Sequence, residues 1–234
     1  MNPNPVSKRF QCYRNIFTVN PTQHLFDDLV SPEHFDVLQR QENASSGIDH
    51  TLPKFHRPFQ YSDTTMSLYV FEKLNWKLGR FSDGKSFGVW YGVLEEMTSQ
   101  YEALYHLLPI TKDQFANPEN HDDFIVIQRR MILAECHGKH FVDLRRDSKM
   151  YSKLISNDYT FCHKIARQAI MKGIDGFLTP SARHKGGTCT PIFNSKTIIT
   201  DKIIYFFDFI IYKNSTVELR KSEVTRLSVP EGWI

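Results

Sequence analysis

The four cysteines, Cys12, Cys136, Cys162 and Cys189, lie far apart with no Cys-x-x-Cys pair among them. That spacing excludes a tight disulfide framework and fits reduced thiols in a cytosolic compartment. Long apolar runs are also missing. The longest, Ile203 to Tyr212, is ten residues broken by Asp208, too short to span a bilayer and suited to a buried strand. The opening Met-Asn-Pro-Asn-Pro lacks the apolar segment of a Sec signal peptide, so a cytoplasmic location is expected, with delivery as a secreted effector the alternative. Basic residues barely outnumber acidic ones, 29 to 26, and they are scattered. No polybasic stripe therefore points to direct nucleic-acid binding or to an anionic membrane surface. Gly-x-Gly-x-x-Gly and Gly-x-x-x-x-Gly-Lys-Ser/Thr are both absent, which removes the Rossmann and P-loop readings, and no internal repeat or low-complexity tract occurs.

What remains is a chain of 234 residues, 41% hydrophobic and 13% aromatic, enough to bury a substantial core. One domain over 1–234 is expected, with a core at about 10–200 and a strand-rich extension at 197–234. Strand-like and helix-like segments follow one another without regular alternation, which predicts an α+β fold. Residues 10–20 favour a strand, a helical pair is expected between Thr22 and Gln41, a loop at 43–49, and extended chain at 53–61. Phe124–Leu133 and His140–Leu144 flank Gly138-Lys139 in the manner of a hairpin. A helix capped by Asn157 or Asp158 should end near Gly173, followed by a short strand at Ile174–Leu178.

Chemistry concentrates between Gly79 and His106. Arg80, Tyr91 and Glu102 fall eleven residues apart, a cation before a turn, an aromatic on the following strand and a carboxylate on a helix expected from Thr98-Ser99 to Leu108, stopped by Pro109. Each has an ordinary reading. Ser99-x-x-Glu102 is a capping box in which the glutamate reaches back to the cap residue's N–H. Arg80 and Ser82-Asp83-Gly84 are consistent with a surface turn, and Tyr91 with core packing that leaves a hydroxyl in need of a partner. A second cluster follows the Ile174–Leu178 strand: Thr179-Pro180-Ser181-Ala182-Arg183 beside Gly186-Gly187 sets a hydroxyl and a guanidinium in a glycine-rich loop, outside any Gly-x-Ser-x-Gly elbow. Glu135, Cys136, His137 and His140 are metal-ligating residue types, but they straddle the expected hairpin without a second pair at zinc spacing, so no metal is assigned.

Together, Gly-Arg-Phe-Ser-Asp-Gly-x-x-Phe-Gly-Val-Trp-Tyr at 79–91, Glu102-Ala-Leu-Tyr-His106 and Gly-Phe-Leu-Thr-Pro-Ser-Ala-Arg at 176–183 resemble the RES-domain family, from about residue 10 to about 200. The resemblance implies an ADP-ribosyltransferase-like fold and destruction of NAD+ by hydrolysis or phosphorolysis of its nicotinamide–ribose bond. It further implies a growth-inhibiting toxin held in check by a cognate antitoxin. NAD+ is then a substrate, with no bound cofactor required. By the same resemblance Arg80 holds the dinucleotide phosphates, Tyr91 lines the nicotinamide or ribose pocket, Glu102 faces the reacting ribose and Ser181 completes the pocket, with Arg57, Tyr61 and Arg183 as substrate-binding candidates. Family members often carry an Arg-Tyr pair where this chain has Gln60-Tyr61, so the second phosphate contact falls to Arg57 or to Arg14. Two rivals stay open: transfer of ADP-ribose to a macromolecule, and a non-catalytic binding module in which Glu102 is only a cap.

Overall fold

A computed structural model describes residues 6–17, 68–71, 73–117, 122–221, 224–230 and 232–233. The expected helical pair at 22–41, the loop at 43–49, the extended chain at 53–61, and with it Arg57 and Tyr61, lie outside the described residues. In chain order the first elements are β1 (Val6–Phe17), β2 (Leu78–Gly79), β3 (Ser82–Asp83), β4 (Trp90–Val93), α1 (Glu96–Ala116) and β5 (Phe124–Asp143). Helices α2 (Tyr151–Ile155) and α3 (Thr160–Met171) precede β6 (Gly176–Pro180), β7 (Thr188–Ile192), β8 (Ile198–Tyr212), β9 (Val217–Arg220) and β10 (Val224–Leu227). Strands dominate and helices interrupt them irregularly, which is the α+β class.

Eight strands form one sheet in the order β1-β4-β7-β6-β5-β8-β9-β10, with an added β1–β5 pairing. Because β1 pairs with both β4 and β5, five strands close into a ring, and β8, β9 and β10 extend the sheet beyond it. Only β5–β6 is parallel among these pairs. Cys12, Trp90, Ala134, Cys136, Phe141 and Ile192, all fully buried, form the core inside the ring. Successive side chains of a strand point to opposite faces, so the neighbours Trp90 and Tyr91 serve opposite sides of β4. Outside the ring, α2 and α3 cover one cluster around Phe81, Leu154, Ala166 and Phe177, which Tyr91 joins. Helix α1 covers another around Leu104, Leu108, Met131 and Phe209.

The hairpin expected at Gly138-Lys139 is instead the interior of one twenty-residue strand. The two flanking runs do not pair with each other, because β1 supplies the partner: Lys8 lies opposite Gly138 and Phe10 opposite Cys136. Glycine serves packing at this point, since a Cβ on residue 138 would sit 2.4 Å from the Phe141 ring. The same correction scatters the metal-like cluster. Cys136 points into the core, 3.2 Å from Cys12 Sγ, while its neighbours Glu135 and His137 face the other way, Glu135 beside Arg9.

Helix α1 departs from expectation at both ends. It begins at Glu96, and the N–H of Ser99 already donates to the Glu95 carbonyl, so Ser99 is helical and the capping box does not exist. Nor does Pro109 stop the helix, which runs to Ala116. An interior proline costs about 3 kcal/mol, but burying Leu104, Leu107, Leu108 and Thr111 against the sheet on both sides of it outweighs that penalty. Helix α3 ends as expected, with Gly173 at φ 68° just after it, but its N-cap is Tyr159, which gives no side-chain bond; Asp158, one residue earlier, accepts at Oδ1 from the Thr160 N–H and hydroxyl.

Candidate active site

Three segments converge on the outer side of the ring, beside the point where β4, β6 and β7 adjoin. The first is the tight turn joining β2 to β3 and its continuation to Phe87. Asp83 accepts from the N–H groups of Lys85 and Ser86, the Ser86 hydroxyl and the Arg167 guanidinium. Burial raises the Asp83 carboxyl, but these donors more than offset it and hold the group below the usual carboxylate range. Phe81 is buried against Phe177 and fixes the turn from beneath. Its N–H donates to Tyr91 Oη at 2.7 Å, which supplies the partner a buried phenol needs. The tyrosine hydroxyl crosses so close to Gly79 that a Cβ there would stand 2.9 Å from it. Burial, only partly offset by the Phe81 N–H, pushes the Tyr91 hydroxyl well above its ordinary value, so it stays protonated.

Arg80 leaves the same turn toward the end of α2. Its Nη1 donates to the carbonyls of Leu154, at 3.1 Å, and of Ser156, and its guanidinium stacks 4.8 Å from the Tyr159 ring centroid. A guanidinium held by two backbone carbonyls and a ring has a fixed direction. Carbonyls exposed at a helix C-terminus favour such a cation, although α2 is a single short turn.

The second and third segments are α1 and the loop after β6. Ser181 Oγ donates to Glu102 Oε1 at 2.6 Å, while the N–H groups of Arg183 and His184 donate to that same Oγ at 3.1 and 2.9 Å. The hydroxyl is thereby committed, one bond given and two accepted, and it fixes the direction of the Glu102 carboxylate. Cys189, on β7, donates its thiol to Glu102 Oε1 at 3.4 Å. Burial first, and the Glu102 charge second, push this thiol far above its ordinary value and keep it protonated. One oxygen of Glu102 therefore carries both side-chain bonds.

The loop is pinned to α1 at further points. Arg183 lies 3.3 Å above the Tyr105 ring and its Nη2 donates to Asn157 Oδ1 at 2.7 Å. His184 stacks on Tyr101 with 5.1 Å between centroids and bonds Thr98 through Nδ1 at 2.8 Å. Glu95 Oε2 accepts from Thr98 Oγ1 and from the Thr188 N–H, tying the start of α1 to the start of β7. His106, one helical turn beyond Glu102, is lowered from its ordinary value first by burial, with Glu102 opposing and Arg183 and Arg80 reinforcing. That one imidazole lies within electrostatic reach of all three charges, and the Cys189 thiol likewise senses both Glu102 and Arg80.

Arg80, Tyr91, Glu102, Ser181 and Arg183, predicted from sequence, thus share one neighbourhood, whereas Arg57 and Tyr61 lie outside the described residues. Arg14 does not belong to it. Its guanidinium stands 5.4 Å from the Trp90 ring, inside the strand ring and on the face of β1 that carries Cys12. Burial lowers it to about 10, with Asp201 opposing. Arg14 is therefore no phosphate contact at this site. Sequence reasoning missed Cys189, His184, Asn157 and the role of His106. Only His106 left a signal, its four-residue spacing from Glu102 on one helix face.

A carboxylate with one oxygen fixed and two directed guanidiniums nearby form a set able to hold an anionic substrate and stabilise positive charge at one atom. A family model described as the RES domain matches residues 50–205, well over half of the chain. No curated protein matches the sequence. Among solved structures, a chain in the crystal structure of the M. tuberculosis MbcT-MbcA toxin-antitoxin complex is similar at 10% identity, with 86% of each chain covered and a TM-score of 0.47. At that score the likeness bears on neither fold nor function here.

Proposed function

The chain belongs to the RES-domain family, and from that premise we propose that it consumes NAD+ by cleaving the nicotinamide–ribose bond, with water or phosphate as acceptor. The observation that carries this reading is the Glu102–Ser181 bond at 2.6 Å, which fixes a carboxylate among Arg80, Arg183 and Tyr91 without using it as a helix cap. Nicotinamide leaves as a neutral molecule, taking the electron pair of the C–N bond, so little acid assistance is needed. The ribose carbon becomes oxocarbenium-like, and Glu102 stabilises that charge as a carboxylate does in glycoside cleavage. Water then adds with loss of one proton to give ADP-ribose, or phosphate adds to give its phosphorylated form. A neutral His106 leaves the Glu102 charge unshielded for the ribose.

Arg80 and Arg183 are assigned one phosphate each of the diphosphate. In support, both reach the segment between α2 and α3, Arg80 at the Ser156 carbonyl and Arg183 at the Asn157 side chain. Arg183 would thereby supply the second contact that Gln60 cannot. Tyr91, protonated and half-buried behind the turn, walls the nicotinamide or ribose pocket. The family also implies a growth-inhibiting toxin, an ADP-ribosyltransferase-like architecture and an antitoxin that occupies the cleft, and these are proposed with the activity.

The binding-module rival, in which Glu102 is only a cap, loses that part of its support because α1 starts at Glu96, and it keeps the Gln60-Tyr61 departure. Transfer of ADP-ribose to a macromolecule uses the same constellation and differs only in the acceptor. Purified protein incubated with labelled NAD+, with and without phosphate, separates the readings. Release of nicotinamide with free ADP-ribose or its phosphorylated form is expected. Label retained on protein or nucleic acid supports the transferase, and intact NAD+ sinks both.

A further inference from the structure

The segment after β10 lies beyond the part of the chain that the RES-domain family model matches, residues 50–205. It nevertheless reaches the candidate site. Trp233 packs edge-on against two residues of α1, Tyr105 at 5.2 Å between ring centroids and 77° between planes, and Tyr101 at 6.2 Å and 82°. Its backbone N–H donates to the Pro230 carbonyl, and with Val229 it packs on the α1 cluster. Tyr101 and Tyr105 are four residues apart, so they project from one face of the helix. Each also holds one member of the loop after β6: Tyr105 carries the Arg183 guanidinium at 3.3 Å, and Tyr101 carries the His184 ring at 5.1 Å. Trp233 is thus the shared support of both rings on which the loop rests.

We propose that Trp233 is a positioning residue: by holding the Tyr105 and Tyr101 rings it sets the direction of Arg183 and so the strength of the diphosphate grip, without touching substrate. The physical basis is the entropy of a long side chain. An arginine on a loop has many rotamers, and the ring at its face, together with the Asn157 acceptor, restricts it. Removing the indole frees the Tyr105 ring to turn, and Arg183 then binds phosphate only after paying the ordering entropy itself. The inference rests on the NAD+ reading for its substrate, though the grip on a diphosphate is measurable without it.

The test uses the whole chain and the variants W233A, W233F, R183A and W233A/R183A. Steady-state NAD+ cleavage is paired with calorimetric titration of ADP, a diphosphate that is not cleaved. For W233A the KM for NAD+ and the Kd for ADP should rise about threefold to tenfold, the range expected when an edge-to-face aromatic contact is lost, with kcat per folded molecule within about twofold of wild type. W233F keeps a ring edge and should recover most of the loss. Since the effect travels through Arg183, W233A should add nothing further in the R183A background. A merely structural tryptophan lowers the folded fraction and leaves KM and Kd alone. NAD+ cleavage with an unchanged W233A KM and Kd, or an additive double variant, overturns the role of Trp233 and leaves the enzymatic reading standing. ADP binding that W233A weakens, in a protein that leaves NAD+ intact, keeps the positioning role and overturns the reaction. Neither cleavage nor ADP binding overturns both.

Discussion

Trp90 and Tyr91 are adjacent in sequence and face opposite sides of β4, and the surroundings of the two side chains differ in kind. Inside the ring, Trp90, Cys12 and Cys136 are fully buried beside Arg14, and among the described residues Trp90 Nε1, Arg14 Nη1 and Thr190 Oγ1 have no hydrogen-bond partner. Outside, the polar atoms are held from behind. Tyr91 Oη takes the Phe81 N–H, Ser181 Oγ takes two N–H groups and gives one bond to Glu102, and Arg80 Nη1 gives two to carbonyls. Burial alone is thus a poor guide to chemistry in this protein. Burial lowers the Arg14 guanidinium to about 10, yet that group faces the Trp90 ring inside the strand ring, away from Glu102 and Ser181. What distinguishes the outer side is fixed orientation, the property a site needs to act on a transition state.

Substitutions on the two sides should separate accordingly. The largest effect belongs to Glu102→Gln on the outer side. The amide keeps the shape and can still accept from Ser181, but loses the charge, so kcat for NAD+ cleavage should fall about a thousandfold with little change in melting temperature. A variant cleaving at the wild-type rate would remove Glu102 from the chemistry. On the inner side, Trp90→Ala should cost about 3–5 kcal/mol in denaturant unfolding, while the molecules that remain folded bind NAD+ with an unchanged KM. A selective rise in KM there would mean that the two sides are coupled and the contrast false.

Arg80→Ala should be intermediate, raising the KM for NAD+ about tenfold to a hundredfold through loss of a charged hydrogen-bonding group, with a smaller effect on kcat. An unaltered KM would take Arg80 out of the phosphate site. The smallest effect is on pH dependence. His106 binds a proton less readily folded than unfolded, so below its ordinary value of 6.5 the unfolded chain carries more protons and stability must fall as the pH drops. Urea midpoints measured on either side of that value should show a shallower acid loss in His106→Gln than in wild type. Equal losses would assign the acid sensitivity to other groups.

Sequence and structure agree where a feature depends on neighbours in the chain. The αL glycine after α3 was legible because its cause lies within a few residues, and Asp83 and Asp158 do bond their own near neighbours, although Ser82–Asp83 is strand β3 with the turn before it, and Asp158 precedes a helix whose N-cap is Tyr159. They diverge where a distant segment decides. Gly138-Lys139 carries a turn signal, and β1 from the other end of the chain overrides it by pairing straight across. Ser99-x-x-Glu102 carries a capping signal, and Glu102 is claimed by Ser181, 79 residues away.

By itself the sequence determined the α+β class, the eleven-residue series Arg80, Tyr91 and Glu102, the Pro-Ser-Ala-Arg turn and, through these, the family. All are matters of residue type and local spacing. Only the tertiary structure decided that Glu102 is no cap, that Arg14 lies on the wrong side of the sheet, that Arg183 and Arg80 meet at the Ser156-Asn157 segment, and that Trp233 stands behind the rings holding Arg183. Each of those facts is a contact between segments far apart in the chain. Such contacts are set by how strands pair and which face each side chain takes, and a one-residue change of register reverses every face.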